Sequence, residues 1–261
     1  MTAELKTLIQ SFIEQRVASA GTVTRYRRPL VGFADAQDPL WLQLKEIVGP
    51  HHLLPADLLP DARTAVAIFL PFAEEIVLAN RSAPAVAREW AVAYLETNAL
   101  INQMVSELRA MLAEQGIRTA NQPATYNFDP VTLTSEWSHR SAAVIAGLGS
   151  FGLNHMLITD SGCAGRCGSF VLNAAIEPTP RRPIERCQYF YDGSCRACVE
   201  ACPIGALREA QAGEANNIDK HRCYDYLLNE ATRHLKPALP ADCCGKCALG
   251  PCALSSAVPL R

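Results

Sequence analysis

The residues best equipped for chemistry stand in the last third of the chain. Cys195, Cys198 and Cys202 form C-x2-C-x3-C, and Pro203 follows. This is the end of the bacterial ferredoxin run, in which closely spaced thiolates wrap the corners of a [4Fe–4S] cluster. The cysteine that usually opens the run would fall at Asp192, and Cys187, across the insertion QYFYDGS, is the substitute. A second group holds Cys223, Cys244, Cys247 and Cys252. In two-cluster ferredoxins the last cysteine of each run ligates the other cluster. Applied here, cluster one takes Cys187, Cys195, Cys198 and Cys252, and cluster two takes Cys202, Cys223, Cys244 and Cys247. Paired C-x2-C motifs also build structural zinc sites, and an exported chain could use the same thiols in disulfides. Cys243 adjoins Cys244, and either could be the ligand. Cys163 and Cys167 are expected to line the junction between a body and the metal centre without binding metal.

Upstream, Gly147, Gly149 and Gly152 match G-x-G-x-x-G. The dinucleotide fingerprint needs a strand before it and a helix after it. Here the order is reversed, which excludes a nicotinamide site. The glycines instead suit a tight turn approached by a neighbour or a bound cofactor. Arg140, Gly147, Gly149, Gly152 and His155 are therefore the expected pocket residues. Asp129 and His139 are the candidates for catalysis, His139 with a satisfied structural histidine as its alternative. His51 and His52 read as solvated loop residues, and His221 and His234 carry no motif.

The elements that must position these groups follow from periodicity. A helix is expected from Ala3 to Ser19, strands at Leu30–Ala34 and Ala65–Phe72, and a loop around Pro50, Pro55 and Pro60. A long helix is expected over Ala83–Gln115 and a strand near Ile117–Ala120. Glu136–Ala146 reads as a helix capped by Thr134 or Ser135, and Met156–Thr159 and Ser169–Ala175 as strands. All 11 cysteines lie between Cys163 and Cys252, and the first 162 residues contain none. The expected division is a body, 1–178, and an iron–sulfur domain, 179–261. A 49% hydrophobic content excludes wholesale disorder, and a formal net charge of -2 gives no sign of a DNA binder. No apolar run reaches membrane-span length and no secretory leader is evident, so a reducing, cytoplasmic setting is expected.

From about Arg140 to Cys252 the order of the pieces resembles epoxyqueuosine reductase, the iron–sulfur and cobalamin enzyme of tRNA queuosine synthesis. The stretches that carry the resemblance are Ala146-Gly-Leu-Gly149, Met156-Leu-Ile-Thr159, Cys195-x2-Cys198-x3-Cys202-Pro-Ile-Gly-Ala206, Asp219-Lys-His-Arg-Cys223 and Cys244-x2-Cys247. Short relatives of the same name also carry Gly162-Cys-Ala-Gly-Arg166 and a late Cys-Gly-Lys-Cys. The resemblance implies an α+β fold, a nitroreductase-like α/β body followed by a ferredoxin-like domain with two [4Fe–4S] clusters. It also implies cobalamin between the two and an external electron donor of ferredoxin or flavodoxin type. Arg140 matches a family arginine. The family's aspartate proton donor falls at Leu133, its usual lysine at Leu153, and its C-terminal helical repeat domain is not met before Arg261. On these departures, a small electrophilic molecule rather than queuosine tRNA is the expected substrate of an iron–sulfur oxidoreductase. A non-catalytic electron carrier and a zinc-stabilised interaction module are the alternatives.

Overall fold

The structure, a computed structural model, describes residues 2–125, 127–210 and 217–258. In chain order its elements are α1 (Thr2–Ala18), β1 (Leu30–Asp35), α2 (Leu40–Ile47), α3 (Pro55–Leu58), β2 (Thr64–Pro71), α4 (Glu74–Ser82), α5 (Arg88–Ala113) and β3 (Thr119–Ala120). They continue with β4 (Phe128–Asp129), β5 (Thr134–Ser135), α6 (His139–Ile145), β6 (Gly149–Phe151), β7 (Leu157–Thr159) and β8 (Gly165–Leu172). The cysteine-rich end adds α7 (Gln188–Asp192), α8 (Ala197–Glu200) and α9 (Lys220–Asn229).

Four strands pair in the order β1-β2-β8-β3, every neighbour antiparallel. All eight residues of β2 are buried, because helices cover both faces. Strand side chains alternate between faces, so Val66, Ile68 and Leu70 meet one layer and Ala65, Ala67 and Phe69 the other. The first layer is α1 and α5. Leu5, Ile9, Ile13 and Val17 recur every four residues of α1 and form one stripe against Leu100, Met104 and Leu108. On the second face Trp41 of α2, Trp137, and Ala142 and Ala143 of α6 pack on Ala65, Ala67 and Phe69. Trp41 and Trp137 stack with ring centroids 5.2 Å apart.

Several expectations shift, each for a local reason. The long helix does not begin at Ala83. Ala83 precedes Pro84, which disfavours helical backbone there, and it is extended (φ -74, ψ 137). The chain therefore makes two helices, α4 before the break and α5 after it. The proline-punctuated loop contains α3, started by Pro55 in the first helical position, where a missing N–H costs nothing, and α2 precedes it. The cap of α6 is Ser138, whose side chain accepts from the Ser141 N–H, while Thr134 and Ser135 pair with β4. β8 begins at Gly165 rather than Ser169, with Cys167 opposite Phe69 of β2.

A third apolar cluster crosses residue 178. Phe72, Trp90, Leu153, Ile158 and Cys163 pack there with Cys187, Ala231, Cys243, Ala248 and Ala253. The cysteine-rich end thus shares a core with α4 and the start of α5. Among the described residues no helix is long and apolar enough to cross a membrane.

Candidate metal centre and adjoining cavity

The insertion before Cys195 is folded, not looped out. Cys187 is the N-cap of α7, and Gly193 ends that helix in a left-handed conformation (φ 77). Asp192, where a first cysteine was absent, accepts from the backbone and hydroxyl of Ser194 and shapes this turn. The chain returns so that Cys187, Cys195, Cys198 and Cys252 line one small cavity with Leu153, Ile158 and Tyr189. The electrostatics show the same grouping. Burial, then the charges of Cys252, Cys187 and Cys195, push the Cys198 thiol up to about 12. Burial, then Cys244 and Cys202, push Cys223 up to about 11. Cys247 is raised by burial and by Cys244, Cys223, Cys198 and Cys202. Cys198 thus stands with Cys187, Cys195 and Cys252, Cys223 stands with Cys202 and Cys244, and Cys247 borders both groups.

Cys244, not Cys243, neighbours Cys202 and Cys223 in this arrangement. Cys243 is buried in the shared apolar cluster. Among the described residues no three His, Cys, Asp or Glu side chains converge closely enough to hold a single metal ion. Backbone donors face the thiols. The Ala206 N–H lies 3.2 Å from Cys202 Sγ, and the Leu153, Phe190 and Tyr189 N–H groups oppose the burial effect at Cys187.

The Cys-Gly-Lys-Cys element is pinned to the end of α4. Lys246 Nζ donates to the carbonyls of Asn80 and Ala83 at 2.6 and 2.7 Å, where the helix dipole is negative. Asn80 Nδ2 donates to Cys244 O at 3.0 Å, and Arg81 donates twice to Leu249 O. Gly245 (φ +73) lies flat on Trp90, and a Cβ there would stand 2.1 Å from the indole ring. The segment around Cys252 has its own anchor in Arg27, which donates to Phe72 O, Leu254 O and Ser161 O at 2.8, 2.6 and 2.7 Å.

Beside the cysteines lies a cavity of about 350 Å³. Its wall includes Phe128, Leu133, Trp137, His139, Arg140, Cys163, Arg166 and Cys167, and among the described residues no carboxylate lines it. Arg140 is surrounded by protein yet keeps solvent contact through the cavity, and donates to the His155 carbonyl. Arg166 donates to Asn98 Oδ1 at 2.9 Å and lies over the Tyr94 ring. Burial pushes the Cys167 thiol up to about 11, opposed by Arg140 and Arg166. The site is thus cationic, with protonated thiols.

His139 is held by a complete relay. Its Nε2 faces the Pro123 carbonyl at 2.8 Å, so that nitrogen carries the proton. Ser169 Oγ then donates to Nδ1 at 2.7 Å and accepts from Trp137 Nε1 at 2.8 Å. Burial lowers the His139 pKa to about 4. Both ring nitrogens are occupied, so His139 shapes the wall. Asp129 does not line the cavity. Its Oδ1 accepts from the Val131 and Thr132 N–H groups at 2.8 and 2.7 Å, and these bonds hold its pKa below the usual value.

Of the expected pocket residues, Arg140 lines the cavity and the three glycines do not. Their role is close packing: a Cβ on Gly149 would meet Ile158 O at 2.1 Å, one on Gly152 the Ile158 side chain, and one on Gly147 the Thr179 and Pro180 carbonyls. His155 is bonded through Nε2 to Asn217 Oδ1, away from the cavity. His52 is a correction: it is fully buried, accepts the Ser138 N–H at 3.1 Å and stacks beside Trp137. Sequence reasoning missed Arg166 and the placement of Cys167. The signal was the alternation Cys163, Gly165, Cys167, hidden by starting that strand too late.

No protein-family model matches the chain. An epoxyqueuosine reductase of Salmonella typhimurium is 25% identical over 187 residues, 71% of this chain and 44% of that protein. The chain spans less than half the length of the curated relatives it matches. A solved epoxyqueuosine reductase holding an epoxyqueuosine-modified tRNA-Tyr stem loop superimposes with a TM-score of 0.59, covering 97% of this chain and 66% of that one at 21% identity. A reductive dehalogenase, solved in connection with B12-dependent dehalogenation, gives 0.57 over 90% of this chain and 30% of that one at 16% identity. The complex with the stem loop overturns the expectation that a small molecule rather than tRNA is the partner, because a protein of this fold takes tRNA. By sequence and by fold, the chain is similar to the epoxyqueuosine reductases.

Proposed function

We propose that the chain is a cytoplasmic iron–sulfur reductase of the epoxyqueuosine reductase kind, acting on a tRNA-borne electrophile. In this reading a ferredoxin- or flavodoxin-type donor would supply electrons to two [4Fe–4S] clusters held by the thiols beside the cavity, and a corrinoid, if bound there, would supply the reducing metal. The observation that carries the reading is the gathering of eight thiols beside a cationic cavity, with Cys187, Cys195, Cys198 and Cys252 around one small cavity and Cys247 near Cys202, Cys223 and Cys244; the crossed order of two-cluster ferredoxins would accommodate them. Cys187, Cys195, Cys198 and Cys252 would hold one cluster, and Cys202, Cys223, Cys244 and Cys247 the other. Burial first and neighbouring thiols second raise Cys198, Cys223 and Cys247, and bound iron would reverse that preference for the protonated form. A single zinc ion would need its ligands to converge on one point, whereas a cube spreads its four thiolates around a larger body.

The clusters, when bound, store and relay single electrons, and cobalamin supplies a strongly reducing cobalt. The chain's residues do the rest. A cavity of about 350 Å³ is at the small end of ligand pockets, so it encloses the reacting part of a larger ligand. Arg140 and Arg166 attract an anionic group such as a phosphate, and Phe128, Trp137 and Leu133 supply apolar wall. The relay through Ser169 holds His139 and Trp137 still while the ligand enters.

The test is direct. The anaerobic protein is reduced, supplied with cobalamin and an epoxyqueuosine-modified stem loop, and assayed for queuosine. Formation of queuosine supports the reading. No product from a protein that carries both clusters in reduced form would sink the substrate assignment.

A further inference from the structure

Cys163 is outside both sets of four, yet it touches one of them. It sits immediately before β8, where its N–H donates to Cys252 O at 2.9 Å and the next N–H, of Ala164, donates to Ala253 O at 3.0 Å. The approach is close enough that a Cβ on Gly162 would meet Ala253 O at 2.3 Å. This backbone pairing brings Cys163 Sγ to 3.8 Å from Cys252 Sγ and 3.7 Å from Ala248 O. The residue is 4% exposed, and its side chain also lines the cavity beside Gly165 and Cys167. One thiol therefore stands between a cluster ligand and the wall of the cavity.

The chemistry of that contact has a direction. A cysteine bound to iron is a thiolate and can only accept. Cys163 has one proton and two acceptors in reach, the Cys252 sulfur and the Ala248 carbonyl. A hydrogen bond to a ligand sulfur favours the more negative, reduced cluster and raises its potential. We propose that Cys163 is a positioning residue that donates its S–H to Cys252 and holds up the reduction potential of the cluster on Cys187, Cys195, Cys198 and Cys252. The proposal rests on the two-cluster reading above.

The test is an EPR-monitored redox titration of the full chain, purified anaerobically, with iron and sulfide measured on the same samples. Cys163→Ala is expected to keep the wild-type iron content and to shift one cluster to a more negative potential, leaving the other where it was. Cys163→Ser keeps a proton donor and is expected to fall between the two. An exchangeable proton coupled to the cluster, seen by pulsed EPR after transfer to deuterated buffer, should vanish in Cys163→Ala. Unmoved potentials with an unchanged proton signal would overturn the proposal, as would loss of half the iron, which would make Cys163 a ligand. A wild-type protein with no cluster signal would fail at the two-cluster reading instead, before any variant is compared.

Discussion

Leu133 faces the cavity where the resemblance places a proton donor, and its backbone is left-handed (φ 53). That conformation is uncommon for leucine and several-fold enriched in aspartate. Both the chemistry and the backbone therefore favour an acid at this position. Leu133→Asp is expected to raise turnover of an epoxyqueuosine-modified stem loop by about 100-fold, the lower end of general-acid contributions, with no fall in the denaturation midpoint. Unchanged turnover in a cluster-bearing variant would mean that another group delivers the proton. His139 makes a different prediction. Its folded pKa of about 4 lies below the ordinary 6.5. The unfolded chain takes up a proton first as the pH falls, so the stability this residue contributes is complete above 6.5 and is lost on the way down to 4. The loss is on the order of 3 kcal/mol by linkage. His139→Gln should flatten this part of the pH dependence of urea unfolding, and an equal slope in both proteins would contradict it.

Among elements, the interlock of the Cys-Gly-Lys-Cys turn with α4 is the feature least visible beforehand. Gly245→Ala puts a methyl group into Trp90 and an L-residue into left-handed backbone. It is expected to lower stability by about 2 kcal/mol or more and to reduce iron retention. Wild-type iron content and midpoint would show that the turn is free to move off Trp90. The periodicity of Leu5, Ile9, Ile13 and Val17 made α1 legible, and the apolar runs gave β1 and β2, because a helix stripe and a buried strand are local patterns. The cysteine spacing pointed to Cys187, which lines one small cavity with Cys195, Cys198 and Cys252. The break at Ala83, the cap at Ser138 and the early start of β8 turn on single prolines, serines and pairing partners, which periodicity averages away. The cavity was the least legible. Arg140 came from the resemblance, whereas Arg166, Cys163 and Cys167 meet there only because β8 pairs with β2 in one register.

At the scale of the molecule, the cysteine-rich end is not an appended module, since its apolar residues share one cluster with Phe72, Ile76 and Trp90. Metal binding and folding are coupled in such sites, so iron removal should loosen more than the cysteine loops. Hydrogen exchange after chelation is expected to rise across α7, α8, α9, α4 and the start of α5, while β2, α1 and the rest of α5, which pack in a separate cluster, keep their protection. Equal loosening of every element would show that the two cores are one cooperative unit. The central claim is that two sets of four thiols hold two [4Fe–4S] clusters that supply a reductase cavity. It is tested most directly by iron and acid-labile sulfide analysis of the anaerobically purified full chain. The account expects about eight of each per chain, falling to about four in Cys187→Ser. Stoichiometric zinc without sulfide would contradict it.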